Sequence, residues 1–103
     1  MLLEETLAAD SFRRALALDP RLFQARMDYV SLLLQTGKKD EALQILDEGV
    51  KYDYPRMPEL IPFYALAGKL RREAGRTEEA QVLEARARQL EILTSAGFPL
   101  HGN

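Results

Sequence analysis

Few side chains in this 103-residue sequence could carry catalysis, and their spacing does not support it. The single histidine, His101, lies in a terminal segment, which favours a mobile tail residue over a general base or a metal ligand. Ser11, Ser31 and Ser95 have no base at a recognisable spacing, and the sequence contains no metalloprotease, phosphate-loop or nucleophile-elbow motif. The absence of cysteine excludes a thiol nucleophile and a thiolate metal site. We therefore predict no enzymatic activity, no cofactor and no bound metal.

Three acidic doublets are the remaining candidates for acid–base chemistry, which needs two carboxylates that converge. Neighbouring residues on a helix point about 100° apart, so the carboxylates of a doublet diverge. Helix starts and solvated helix faces are the ordinary places for such pairs. We therefore assign structural roles to Asp40-Glu41, Asp47-Glu48 and Glu78-Glu79.

A basic cluster is the strongest charge feature of the sequence. Lys69, Arg71, Arg72 and Arg76 lie close together and are interrupted by Glu73. On a helix, Glu73 would pair with its neighbours three or four residues away, which favours an ordinary solvated face. A patch that receives an acidic partner segment and a phosphate or nucleic-acid site are the alternatives. The formal net charge of −2 disfavours nucleic acid and membrane surfaces as partners.

The composition is that of a soluble helical protein. Hydrophobic residues make up 47% and charged residues 29% of the chain, which is ordinary for a globular domain. There are 13 alanines and 18 leucines against six valines and isoleucines together, which predicts an all-α fold. No signal peptide or spanning segment is recognisable, so we expect a cytoplasmic protein. The ten arginines against four lysines, with abundant alanine, favour a bacterial source.

The sequence repeats itself at nearly equal intervals. Gly37 to Ala42 recurs as Gly75 to Ala80, 38 residues later. A small–large–small pattern recurs 34 and then 38 residues apart, at Ala8, Phe12 and Ala15, at Ala42, Leu46 and Gly49, and at Ala80, Glu84 and Ala87. Because two helices approach closely only where side chains are small, Ala8, Ala42 and Ala80 are predicted at helix crossings. Phe12 and Leu46 would fill the space between neighbouring units.

Each unit is predicted to be a pair of helices joined by a glycine bend. Gly37 and Gly75 end the first helix of a pair, because glycine adopts the left-handed conformation at little cost. Asp19-Pro20 marks a helix start, and Pro62 favours the later of two starts for the fourth helix. The expected helices cover residues 2–18, 20–36, 40–52, 58 or 60 to 74, and 77–94. One domain, 1–94, would hold a half repeat at 1–20 and repeats at 21–54 and 59–94, followed by a flexible tail at 95–103.

These residues resemble the tetratricopeptide repeats over about residues 8–91. The resemblance rests on three stretches: Ala8, Phe12 and Ala15 before Asp19-Pro20, Tyr29 before Gly37–Ala42, and Tyr64 and Gly68 before Gly75–Ala80 and Ala87. It implies helix-turn-helix units stacked as a short right-handed α-solenoid that binds a protein or peptide. Four positions depart from the family pattern, namely Arg26, Val30, Tyr54 and Glu84. Another helical-hairpin repeat, including the RNA-reading kind, is the alternative, and the acidic balance argues against the RNA-reading kind.

The resemblance also implies where a partner would bind. The first helix of each repeat lines a concave groove in this family, which here would present Gln24, Met27, Asp28, Ser31, Leu34, Gln35, Ala65, Leu66, Lys69, Arg72 and Glu73. The asparagines of the family's carboxylate clamp are absent. The apolar surface and basic edge instead suit a segment with apolar anchors and acidic neighbours. Packing of Met27 and Leu34 against adjacent helices is an equally good explanation of those two side chains.

The first unit contains only its second helix, so Leu3, Leu7 and Phe12 are predicted to face water. Helical repeats normally bury such faces against a neighbouring unit. The chain is therefore expected to be one piece of a larger protein, a domain that self-associates through its terminal helices, or a small monomer that tolerates the exposure.

Overall fold

The computed structural model describes residues 2–95, and these form helices and turns without a strand. The helices are α1 (Leu3–Leu18), α2 (Phe23–Gln35), α3 (Lys39–Gly49), α4 (Leu60–Glu73) and α5 (Thr77–Ser95). The prediction of an all-α fold with five helices is therefore confirmed. The chain forms two compact units, one ending at Tyr52 and the other starting at Asp53. The tail prediction, with His101, concerns residues that lie almost wholly outside the described range.

Glycine ends the first helix of each hairpin, as predicted. Gly37 and Gly75 have φ angles of 77° and 82°, in the left-handed region that disfavours other residues. The amide of Lys38 donates to the Leu33 carbonyl at 2.8 Å, and the amide of Arg76 donates to the Arg71 carbonyl at 2.9 Å. In each of these bonds the amide lies five residues after the carbonyl. The bonds satisfy carbonyls that the helix end would otherwise leave unpaired. The two bends are therefore the same structural device.

The start of α2 and the end of α3 differ from the sequence-based expectation. Asp19-Pro20 does not begin α2, which starts at Phe23. The Asp19 carboxylate instead accepts a hydrogen bond from the Arg21 amide at 3.0 Å, and its carbonyl accepts one from the Leu22 amide. Aspartate therefore stabilises a separate turn before the helix, as it commonly does outside helices. Helix α3 ends at Gly49 rather than near Tyr52.

In the first unit, α2 packs between α1 and α3. Tyr29, Val30 and Leu33 of α2 are buried, as are Ala42 and Leu46 of α3. Val30, a departure from the family pattern, is fully enclosed. The predicted seam residues of α3 therefore do form the core of this hairpin.

The predicted seam of α1 is displaced by one residue. Ala9 is the buried alanine, at 4% exposure, whereas Ala8 and Ala15 are half-buried. Within the described residues α1 packs only on α2, so the face that Ala8 would use at a second crossing has no partner helix there. Phe12 is half-buried rather than open to water, because its ring stacks on Tyr29 with centroids 6.0 Å apart.

The second unit is one close-packed hairpin. A Cβ atom added to Gly68 of α4 would lie 3.3 Å from the Ala80 carbonyl oxygen and 3.0 Å from Cγ of Glu84. Ala80 and Ala87 are both buried on the facing side of α5. Small residues thus permit the close approach that the repeat pattern predicts. In the segment before α4, Tyr54 packs edge-on against Phe63, with ring centroids 5.9 Å apart.

Candidate functional site

The solvent-exposed face of α2, called its outer face below, carries the side chains that were predicted to line the groove. It combines polar side chains with partly accessible apolar ones. Met27 and Leu34 are half-buried, so each contributes both to packing and to the surface. The other residues predicted for this face, Gln24, Asp28, Ser31 and Gln35, are exposed. Gln24 donates a hydrogen bond to Asp28 at 3.0 Å, one helical turn along. The first unit therefore presents a mixed surface without a cationic side chain among these six positions.

The outer face of α4 carries the predicted basic edge. Leu66 is half-buried, and Ala65, Lys69, Arg72 and Glu73 are exposed. Positions 66, 69 and 73 recur at helical spacing and so share one side of the helix. The second unit therefore offers an apolar contact beside the ammonium group of Lys69.

Arg72 is engaged within its own hairpin. Its guanidinium donates two hydrogen bonds to the Glu84 carboxylate, at 3.0 Å from Nε and 2.6 Å from the second nitrogen. These bonds hold the pKa of the Glu84 carboxyl below its ordinary value. The pair also explains why glutamate replaces a bulky residue here, since its stem covers Gly68 while its charge reaches Arg72.

Two other cations of the basic cluster, Arg71 and Arg76, also have partners. Arg76 forms two hydrogen bonds with the Glu79 carboxylate, and Arg71 donates to the Glu79 backbone carbonyl at 3.3 Å. The structure therefore favours the solvated, internally paired face over a phosphate or nucleic-acid site.

The family assignment follows from comparison with known sequence families. The tetratricopeptide repeat pattern matches residues 6–65, which include most of α1, all of α2 and α3, and the start of α4. The chain belongs to the tetratricopeptide repeat family. Domains of this family are generally protein–protein interaction modules and are typically non-catalytic. No curated protein matches the chain significantly.

Arg26 is the departure from the tetratricopeptide repeat pattern whose role only the structure reveals. The residue is 3% exposed, and its guanidinium donates to the carbonyls of Pro20, at 2.8 Å, and Ile45, at 2.9 Å. The nearest carboxylate oxygen, of Glu48, is 3.8 Å away. Arg26 therefore ties the turn before α2 to α3, where the family pattern has an aromatic side chain.

A cleft in the second unit of this tetratricopeptide repeat chain was not predicted from the sequence. It has a volume of about 430 Å³ and lies between the segment before α4, the start of α4 and the end of α5. Tyr64 and Arg86 meet there, with the guanidinium 5.7 Å from the ring centroid, and burial raises the pKa of the Tyr64 hydroxyl. Both residues lie 11 positions from Gly75, so pairing residues at equal distances from the bend would have brought them together.

Residues 2–95 contain neither a cluster of metal-binding side chains nor a membrane-spanning helix. In that range no three His, Asp or Glu side chains gather where they could hold a metal ion. No helix there is long and apolar enough to cross a bilayer.

Proposed function

We propose that this domain is a non-enzymatic module that binds a segment of a partner protein on the outer face of α2 or on that of α4. The observation that carries the proposal is the same on both helices. Half-buried apolar side chains, Met27 and Leu34 on α2 and Leu66 on α4, lie among exposed polar ones. Such a surface can bury a partner's apolar side chain without exposing the core of the domain.

The charge on α4 indicates what the partner carries beside its apolar anchors. Lys69 is exposed on the same side as Leu66, and Arg72 is already paired with Glu84. An acidic side chain of the partner would therefore meet Lys69 rather than Arg72. We further propose that the domain is one part of a larger protein, because binding modules of this kind work by holding a partner near other activities.

Reversal of the Lys69 charge tests this surface. Peptides selected by display against the wild-type chain are expected to bind the Lys69→Glu variant about fivefold more weakly, since one exposed ion pair is replaced by repulsion. Lys38→Glu makes the same charge change at an exposed bend and should leave the affinity unchanged. Fluorescence polarisation measures the affinities, and amide chemical shifts locate the contact. Selected peptides that perturb no amide on the outer faces of α2 and α4 would refute the proposal.

Self-association is the second candidate function, and the exposed face of α1 favours it. Leu3 is 73% exposed and Leu7, one turn further along the same side, is 58% exposed. Burying a leucine side chain contributes about 1.5–3 kcal/mol. Two leucines on each of two copies would therefore contribute substantially to the free energy of association. Because Phe12 is stacked on Tyr29, Leu3 and Leu7 are the better residues for a test.

We expect the wild-type chain to sediment as a dimer or larger oligomer that dissociates at low concentration. Leu3→Ser with Leu7→Ser should shift it to the monomer, because the apolar contact is lost. Val82→Ser removes a comparably exposed apolar side chain from α5 and serves as the control. A wild-type chain that stays monomeric at about 1 mM in analytical ultracentrifugation would exclude this function.

A further inference from the structure

The cleft in the second unit has two arginines at its sides and an apolar floor. Leu60, Tyr64 and Leu90 form the floor and are nearly enclosed, and Ile92 at the rim is largely exposed. Arg56 comes from the segment before α4 and Arg86 from α5. No carboxylate lines the cleft, although the described chain as a whole carries more acidic than basic residues. The cleft is thus a local cationic site.

Neither arginine has an acidic partner in the cleft that would compete with an anion from outside. Among residues 2–95, no Asp or Glu forms an ion pair with Arg56 or Arg86. Arg86 is held over the Tyr64 ring, which positions its guanidinium without neutralising it. Asp53 is close enough to affect the Tyr64 hydroxyl but does not line the cleft. An arginine without an ion-pair partner is suited to bind a carboxylate through two parallel hydrogen bonds.

We propose that this cleft binds a short acidic peptide segment in which a carboxylate adjoins a leucine or phenylalanine side chain. The apolar side chain would lie over the floor and against Ile92, and Arg56 and Arg86 would donate hydrogen bonds to the carboxylate. A volume of about 430 Å³ holds one such side chain with its acidic neighbour. A free phosphate would satisfy the arginines but leave the accessible apolar side chains of the cleft, Ile92 and Leu93, uncovered.

This site is separate from the outer face of α4. Leu60 and Tyr64 lie on one side of the helix, and Leu66, Lys69 and Glu73 project from the opposite side, about half a turn away. A peptide in the cleft would therefore not compete with a partner at Lys69. The two proposals can fail independently.

The probe is a fluorescein-labelled hexapeptide that has an aspartate on each side of a central Leu-Phe pair. It is titrated with the whole chain. Fluorescence polarisation should show saturable binding, and the amide signals of Tyr64 and Leu90 should shift. Arg86→Gln and, independently, Arg56→Gln should each weaken binding at least about fivefold, because each removes one cation but keeps part of the stem. Arg88→Gln, an exposed arginine of α5 outside the cleft, should change the affinity less than about twofold.

Control peptides and competitors decide the identity of the ligand. A peptide with asparagines in place of both aspartates, or with alanines in place of Leu-Phe, should bind markedly less tightly. Displacement of the probe by inorganic phosphate at equal concentration would show a plain anion site and overturn the proposal. Equal loss of binding in Arg88→Gln and Arg86→Gln would overturn it, as would amide shifts confined to the Lys69 face. If the chain oligomerises in sedimentation experiments and the amide signals of Tyr64 and Leu90 shift with its concentration, the cleft is occupied by a second copy. That result would also overturn the proposal.

Discussion

Ala80→Arg is expected to unfold the α4–α5 hairpin. Ala80 has no exposed surface, and its carbonyl lies against Gly68, so an arginine side chain there has neither room nor solvent. Overpacking costs about 1–3 kcal/mol, and burying an unpaired charge costs several more. The sum rivals the whole stability of about 5–15 kcal/mol that a domain of this size has.

Hydrogen exchange with mass spectrometry measures this outcome helix by helix. The amides of α4 and α5 should lose their protection in Ala80→Arg. Ala65→Arg makes the same chemical change on the exposed side of α4 and should alter stability by less than about 0.5 kcal/mol. Protected α5 amides in Ala80→Arg would show that this seam is not the core of the hairpin.

Arg26→Ala is expected to destabilise the first unit by about 3 kcal/mol. The substitution removes two charge-assisted hydrogen bonds, each contributing about 1.5–3 kcal/mol, and leaves the Pro20 carbonyl without its donor. Part of this loss is offset, because the variant no longer buries a guanidinium whose Nε has no hydrogen-bond partner. The change should appear as a lower urea midpoint in the circular dichroism of the chain.

Two further variants distinguish the contribution of the Arg26 hydrogen bonds from that of its positive charge. Arg26→Lys should lose most of the same stability, because an ammonium group cannot bridge the carbonyls of Pro20 and Ile45 as the planar fork does. Arg14→Ala removes an exposed arginine paired with Asp10 and should cost less than about 0.5 kcal/mol. An Arg26→Ala chain as stable as the wild type would mean that desolvation cancels the two hydrogen bonds.

Much of the secondary structure could be predicted because its causes are local. The bends at Gly37 and Gly75 follow from a conformation that glycine adopts cheaply, and Ala42 and Ala80 are buried where the repeat places them. The start of α2 could not be predicted as well. Asp19 can stabilise either a helix start or a separate turn, and the structure has the turn, whose Pro20 carbonyl accepts a hydrogen bond from Arg26.

For the predicted binding surfaces, the sequence indicated which positions are accessible but not which charges are paired. The resemblance to tetratricopeptide repeats implied the surface positions on α2 and α4, and each of them is exposed or half-buried in the structure. The pairing of Arg72 could not be read in the same way, because Glu84 is 12 residues away on another helix. Whether the outer faces of α2 and α4 bind a partner stays a prediction.

The sequence by itself determined the period, the number of helices, the glycine bends and the small seam residues of α3 and α5, since each depends on neighbours within a few turns of chain. The tertiary structure alone decided which charges are neutralised, that Ala9 rather than Ala8 is buried in α1, and that Arg56 and Arg86 share an apolar cleft. The physical reason is that helical periodicity is a property of consecutive residues. Burial and ion pairing depend instead on which helix lies opposite, and a side chain's own neighbours in sequence do not specify that.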